Sequence, residues 1–227
     1  MHIQRATLDT CSQATGTVVV IDVIRAFTTA AFAFAAGAID ITFAGTVEDA
    51  LALRERTPGA LVMGEVDGGP VAGFDFGNSP SALRGASLTG RHLIQRTSAG
   101  TQGIIRSTRA NFLLAASFCC AAATVRYINR LSPSTVTLVP TAVRPDDEGD
   151  EDIACADYIE ALLGGAWPDA GPFVQRVRNS AAGRLFGDPA RPEFPASDLE
   201  CCVDVDRFSF AMPVMRRNGL LVMQASL

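Results

Sequence analysis

Acidic and basic side chains follow two of the predicted strands at their carboxyl ends. Asp22 and Arg25 come at and after the end of the β-branched run 17–23, and Glu65 ends a second predicted strand, 60–65. Because ligands bind outside the carboxyl ends of strands in an open parallel sheet, we expect these side chains to converge. Carboxylates suit Mg²⁺, which prefers a few of them together with water and substrate oxygens. The pattern predicts a site that holds a phosphate or another oxyanion beside a divalent cation.

A hydroxyl-rich turn follows another predicted strand and offers groups for the anion. The sequence RTSAGT at 96–101 precedes a helix, so its backbone N–H groups and hydroxyls would face an anion at the positive end of the helix dipole. Arg25 and Arg96 are suited to clamp a carboxylate, sulfonate or phosphate through paired hydrogen bonds. Two structural alternatives stay open: an ordinary capped turn, and an Asp22–Arg25 pair with no other role.

A glycine-rich loop at 66–80 continues from Glu65 and carries Asp75, Asn78 and Ser79. Closely spaced glycines indicate backbone angles that other residues avoid, and such loops often carry function. We therefore expect this loop to form part of the same site.

The composition excludes several chemistries. The 227 residues include no Lys, so Schiff-base enzymes, Ser-Lys hydrolases and phosphate loops that need Lys are ruled out. His2 and His92 are the only two histidines, which argues against a His-based triad or a three-His zinc site. The net charge of -5 argues against nucleic acid as a partner. The six Cys form no C-x-x-C motif and are expected to be small core residues.

Strands and helices alternate through most of the chain, which predicts an α/β fold of three α/β/α layers with a mostly parallel or mixed sheet. Predicted strands are 17–23, 39–44, 60–65, 92–96, 111–116, 135–140, 202–206 and 219–224, and predicted helices are 25–36, 46–56, 101–108, 118–130, 152–164 and 168–187. We expect a lobe at 1–145 with the main site. A smaller C-terminal portion at 146–227, helical with short strands, would pack on it and complete the site.

The most apolar stretch, 26–38, is shorter than the roughly 20 residues of a membrane span. It predicts a buried helix closed by Gly37. With a polar segment at 1–16 in place of a signal peptide, we expect a cytoplasmic protein without a membrane partner. The oligomeric state stays open, with a homodimer as one expectation.

Several segments together resemble the 2-phosphosulfolactate phosphatases of the coenzyme M pathway. They are DVIRAFTT at 22–29, GEVDG at 64–68, GFDFGNSP at 73–80 and ASF at 116–118, with weaker matches at 151–156 and in a tail that carries Asp198, Cys202 and Asp206. The chain departs from the family where TTNGT is typical, since 97–101 reads TSAGT with Arg96 just before it. It also has Cys120 where Asn is common.

The resemblance implies a Mg²⁺-dependent phosphatase that releases phosphate from the ester of a 2-hydroxy carboxylic acid, with sulfolactate as the family's product. Carried over, the implied catalytic residues are Asp22, Arg25, Glu65 and Asp75, and the implied metal ligands are Asp22, Glu65 and Asp152. The implied binding residues for a small anionic phosphate ester are Thr28, Asn78, Ser79, Arg96, Thr97, Ser98, Gly100 and Thr101.

Two nucleophiles are compatible with these residues, namely a water molecule or Asp22 itself. Ile24 stands where aspartyl-phosphate phosphatases usually carry a second acid, which favours water. Two rival functions also stay open: a sensor that binds an anionic metabolite without turnover, and a scaffold whose apolar helices serve oligomerisation.

Overall fold

A mixed sheet with helices on both faces forms the protein in the computed structural model, which describes residues 1–142 and 149–227. The strands are β1 (His2–Arg5), β2 (Thr17–Ile21), β3 (Asp40–Phe43), β4 (Leu61–Gly64), β5 (His92–Arg96), β6 (Phe112–Ala116), β7 (Thr135–Pro140), β8 (Met212–Arg217) and β9 (Leu220–Met223). The helices are α1 (Ala26–Ala35), α2 (Val47–Arg56), α3 (Gly100–Arg106), α4 (Ala121–Leu131), α5 (Asp150–Leu163), α6 (Gly171–Asn179) and α7 (Ala196–Cys202).

The nine strands lie in the order β1-β7-β2-β6-β8-β9-β3-β5-β4. Neighbours within β1-β7-β2-β6 and within β3-β5-β4 are parallel. The hairpin β8–β9 joins these two groups through three antiparallel pairings, so the groups run in opposite senses along the sheet. The sheet is therefore mixed, as the sequence predicted, but the site does not lie at the edge of one parallel sheet.

Alternation along β2 shows how the layers form. Val18 and Val20 pack in a buried cluster with α1 and α3, whereas Val19 and Ile21 pack in a second cluster with α4 and α5. Successive residues of a strand point to opposite faces, so an unbroken apolar run indicates a strand covered on both sides. This arrangement confirms the predicted three-layer α/β fold.

Local signals placed several elements correctly. The hydroxyl of Thr46 accepts a hydrogen bond from the Asp49 N–H at 3.0 Å, as expected of the residue that caps α2. All six Cys are buried and free of disulfides, which confirms them as core residues. No helix in the described ranges is long and apolar enough to cross a membrane.

The C-terminal region differs from the prediction in several respects. The helical region predicted at 168–187 contains α6 at Gly171–Asn179 and a single further turn at Gly183–Leu185, and α7 was not predicted. The strand predicted at 202–206 is wrong, because the apolar pair Cys201–Cys202 is the buried side of the last turn of α7. The strand β8 was not predicted, although it lies in the middle of the sheet. The predicted boundary between 145 and 146 falls outside the described residues, so the division into two parts stays a prediction.

Candidate active site

A pocket of about 290 Å³ lies where the chain leaves β2 and β4. The acidic side chains of its wall are those of Asp22, Glu65, Asp67, Glu151 and Asp152. Arg25 is the one cationic residue among the described residues of its lining. This excess of acidic over basic side chains determines the kind of ligand that the pocket can accept.

Two backbone N–H groups hold the carboxylate of Asp22, which is 5% exposed. The Ala26 N–H at the start of α1 donates to Oδ1, and the Gly100 N–H at the start of α3 donates to Oδ2, both at 2.9 Å. A Cβ at position 100 would lie 2.7 Å from Oδ2, so only glycine permits this approach. Each oxygen keeps a lone pair for a further ligand.

The second carboxylate, Glu65, is held by the turn after β5 and by its own loop. Its Oε1 accepts the Ser98 N–H at 2.5 Å, and its Oε2 accepts the Gly68 N–H at 2.6 Å and the Ser98 hydroxyl at 3.2 Å. Asp22 and Glu65 are thus fixed on one pocket by α3 and the turn that precedes it, although β2 and β4 belong to opposed groups of strands.

Asp152 lies beside Asp22, at the start of α5, and is nearly saturated with donors. Its Oδ1 accepts the Val23 N–H, while its Oδ2 accepts the N–H groups of Thr141 and Ala142 and the Thr141 hydroxyl. This carboxylate ties α5 to the ends of β2 and β7, and it has less room for a metal than Asp22 has.

Burial, together with the charges of neighbouring acids, raises the pKa values of two side chains in the pocket. Burial, and then the nearby charge of Glu65, raise the pKa of Asp22 from its ordinary 3.8 to about 7, although the N–H bonds from Ala26 and Gly100 oppose the shift. Burial, followed by the charges of Asp22 and Glu151, raises the pKa of Asp152 well above its ordinary value. The pocket is therefore electrostatically unfavourable until a cation or protons enter it.

The turn that was expected to bind an anion is largely occupied by the chain itself. The Thr97 hydroxyl donates to the Thr101 hydroxyl, and each of these side chains also accepts the backbone N–H of the other residue. The N–H groups of Ser98 and Gly100 bind the acids Glu65 and Asp22. The same donors that suit a phosphate are here used to place carboxylates.

Arg25 makes a buried ion pair with Asp198, not with Asp22. Its Nη1 lies 2.9 Å from Oδ2 of Asp198, and its guanidinium carbon lies 4.9 Å and 5.4 Å from the ring centres of Phe194 and Phe186. The alternative of an Asp22–Arg25 pair is thereby excluded. Arg25 borders the pocket and contacts Phe186 and Phe194, which also line it.

Among four further candidate residues, one lines the pocket and three do not. Asn78 borders the pocket, is 8% exposed and has a buried Oδ1 without a hydrogen-bond partner. Ser79 donates to Asp198, and Thr28 is buried against the hydroxyl of Ser117. Asp75 does not line the pocket, because its carboxylate accepts the Val62 N–H and lies 3.8 Å from Arg54.

Sequence reasoning did not assign a role to Asp198, Glu151 or the two phenylalanines. Asp198 is fully buried and accepts hydrogen bonds from Arg25, Ser79 and the Ser81 N–H. The sequence signal for Asp198 was its position in the C-terminal segment that resembles the family. Glu151 stands next to Asp152 in the sequence, and both line the pocket, but nothing local indicated which acid would reach a metal.

The chemistry of these donors fits a divalent cation. Five acidic side chains against an arginine that is already paired leave the pocket without positive charge for an anionic substrate, as far as the described residues show. Within those residues no three His, Cys, Asp or Glu side chains are grouped as a metal site. Mg²⁺ does not need such a group, since it is usually bound by one or two carboxylates with water and substrate oxygens.

Comparison with known proteins gives one consistent result. The sequence model of the family described as 2-phosphosulpholactate phosphatase matches residues 3–216. A "Probable 2-phosphosulfolactate phosphatase" of Bacillus subtilis (strain 168) is 33% identical over 197 residues, covering 86% of each chain. Proteins with the same name are 40% identical over 147 residues in Carboxydothermus hydrogenoformans and 37% identical over 150 residues in Synechocystis, covering 64% of this chain and 60% and 61% of theirs.

Proposed function

Because this chain belongs to the 2-phosphosulfolactate phosphatase family, we propose that it hydrolyses the phosphate monoester of a 2-hydroxy carboxylic acid of the 2-phosphosulfolactate type, releasing sulfolactate and phosphate. The family expected from the sequence motifs is confirmed, and with it the class of phosphoric monoester hydrolase. The substrate rests on the names of the relatives.

The excess of acidic side chains in the pocket is the observation that supports Mg²⁺ as the cofactor. A phosphate dianion that entered the pocket alone would meet Asp22, Glu65 and Glu151 at close range, and like charges in a partly desolvated site repel strongly. Asp22 and Glu65 would hold the ion, because both face the pocket and are fixed by backbone N–H groups. When bound, Mg²⁺ supplies positive charge against the phosphoryl oxygens.

We favour water over Asp22 as the nucleophile. Both oxygens of Asp22 accept backbone N–H bonds at 2.9 Å, which hold the carboxylate in place and reduce its nucleophilicity. Ile24 supplies no second acid to assist an aspartyl-phosphate route. The role of Asp22 is then to orient and bind, while water attacks phosphorus in line with the leaving oxygen.

The test is phosphate release from a panel of phosphorylated 2-hydroxy acids, measured with Mg²⁺ and with a chelator. We expect turnover of 2-phosphosulfolactate that depends on the ion. Thermal stabilisation by the panel without phosphate release under any divalent ion would favour the sensor instead. An absence of both effects would favour the scaffold.

The configuration at phosphorus separates the two nucleophiles. A phosphorothioate substrate made chiral with oxygen isotopes and turned over in isotopically labelled water should give inversion, because water displaces the leaving oxygen in one in-line step. Attack by Asp22 followed by hydrolysis of the aspartyl phosphate takes two displacements, and the resulting retention of configuration would reject the water route.

A further inference from the structure

Arg96 is partly buried directly behind Glu65, outside the lining of the pocket. Its Nη1 donates to the backbone oxygen of Glu65 at 2.7 Å and to the hydroxyl oxygen of Ser98 at 3.2 Å. We propose that Arg96 is a positioning residue that fixes the Glu65 carboxylate through Ser98, and that it does not bind the substrate. This inference rests on the proposed function for its consequence in catalysis, but the contacts that carry it are independent of that function.

The hydroxyl group of Ser98 has a determined orientation because all its hydrogen-bonding capacity is used. Its two lone pairs accept the Asp67 N–H at 2.9 Å and the Arg96 Nη1 at 3.2 Å. The single hydroxyl hydrogen is then left for Oε2 of Glu65, 3.2 Å away. Without Arg96 one lone pair would be open, and the hydroxyl would be free to turn away from Glu65.

The backbones of Arg96 and Glu65 are locked to each other in the same place. The Glu65 N–H donates to the Arg96 oxygen at 3.0 Å, and the Arg96 side chain returns a bond to the Glu65 oxygen. Gly64 makes this approach possible, since a Cβ there would lie 1.8 Å from the Arg96 oxygen. The position of Glu65 therefore depends on Arg96 at both its backbone and its carboxylate.

The location of Arg96 argues against a direct contact with substrate. Its Nε is buried without a partner, enclosed by the protein, and its Nη1 is already engaged twice. Ser98 and Glu65 do line the pocket, so the effect of Arg96 must reach a ligand through them. This reassigns a residue that the sequence placed among the groups binding the anion.

The experiment uses Arg96→Met, Ser98→Ala, the double variant and Arg96→Lys, with Arg109→Met as matched control. Arg109 is an exposed arginine that contacts Gln13 away from the pocket. Binding of Mn²⁺, as the probe ion, is measured by EPR without substrate, and kcat and KM are measured with Mg²⁺. Urea unfolding midpoints are measured for all variants without metal.

We expect Arg96→Met and Ser98→Ala each to weaken Mn²⁺ binding about 10-fold, the scale seen when a group that orients a metal ligand is lost. The double variant should bind Mn²⁺ more weakly than Ser98→Ala, because Arg96 also holds the Glu65 backbone oxygen, but by less than the two single effects combined. Arg96→Lys should recover part of the affinity, and KM should stay within about twofold. The unfolding midpoints should also be non-additive, because the two side chains share one contact.

Two results would overturn the proposal. A rise in KM of about 10-fold or more with unchanged Mn²⁺ affinity would make Arg96 a substrate-binding residue. If the effects of Arg96→Met and Ser98→Ala were additive in both Mn²⁺ binding and unfolding, Ser98 would not connect Arg96 to the Glu65 carboxylate. If Arg96→Met does not fold, Arg96→Lys and Ser98→Ala carry the same comparison. Absence of Mn²⁺ binding in the unaltered protein would reject the metal assignment alone, since the unfolding data still decide the coupling.

Discussion

Asp22 and Asp198 are two buried carboxylates with opposite surroundings. Asp198 is fully buried and satisfied by the Arg25 guanidinium, the Ser79 hydroxyl and the Ser81 N–H. Asp22 is almost as buried, yet its neighbours include Glu65 and Asp152, and burial with the Glu65 charge raises its pKa to about 7. Burial alone thus does not identify a functional acid. The charge of the neighbours separates a completed structural contact from a site that requires a cation.

The largest effect on stability is expected when the buried ion pair between Arg25 and Asp198 is broken. Asp198→Ala leaves the Arg25 charge buried and without its carboxylate, which should cost about 3–5 kcal/mol in the free energy of unfolding. Urea denaturation measures this loss. The control is Asp204→Ala, which breaks the exposed pair with Arg207 and should cost at most about 1 kcal/mol. Equal losses in the two variants would show that the buried Arg25–Asp198 pair contributes no more to stability than an exposed pair does.

Asp22→Asn should abolish most activity and leave the fold intact. We expect kcat/KM to fall at least about 100-fold, because the amide removes a charge that acts at the reacting groups. Steady-state phosphate release and circular dichroism measure the two properties. Asp9→Asn, at an exposed position, is the matched control. Substantial turnover in Asp22→Asn would show that Asp22 is not needed for the reaction. The contrast between a functional Asp22 and a structural Asp198 would then be wrong.

Metal binding should stabilise the protein only while Asp22 is present. At ten times its dissociation constant, Mg²⁺ should raise the free energy of unfolding by about 1.4 kcal/mol. The same concentration should have little effect on Asp22→Asn, and its effect on Asp198→Asn should resemble that on the unaltered protein. Urea denaturation with and without the ion measures each case. Stabilisation of Asp22→Asn by the same amount would place the ion elsewhere.

The smallest effect concerns pH in the absence of metal. Since the pKa of Asp22 is near 7 in the folded state and ordinary in the unfolded state, the folded protein binds more protons between these values. Stability should therefore fall as pH rises through 7, by about 1 kcal/mol between pH 6 and 8. Urea denaturation of the unaltered protein and of Asp22→Asn isolates this contribution by difference. An identical pH slope in both proteins would contradict the raised pKa.

Local sequence predicted most of the sheet but not all of its strands. Apolar β-branched runs such as β2 carry a clear signal, because both faces of the strand are covered. β1 is polar and largely exposed along His2–Arg5, and it pairs with β7 alone, so its pattern resembled a terminal segment. β8 contains Pro213, which removes a backbone donor and argues against a central strand.

The sequence predicted only part of the pocket lining, since Asp22 and Glu65 line it but Asp75 and Arg96 do not. Strand-end positions singled out Asp22 and Glu65, but α3 and the turn before it bring them together. The same reasoning suggested that the N–H groups of the turn after β5 would face a substrate, because a donor group does not reveal which anion it binds. Those at Ser98 and Gly100 bind Glu65 and Asp22. The Arg25–Asp198 pair joins distant parts of the chain and has no local signal.

The central hairpin β8–β9 has a consequence for the order in which the protein is made. Residues 212–223 are synthesised after every strand they join, yet they lie between β6 and β3 and connect the two parallel groups. The inner edges of both groups, β6 and β3, are therefore synthesised before the hairpin strands that pair with them, and unpaired edges favour aggregation. Deletion of residues 212–223 should expose those edges and favour aggregation, and a chaperone that covers edges during synthesis would be most useful to this chain just before its last strands appear.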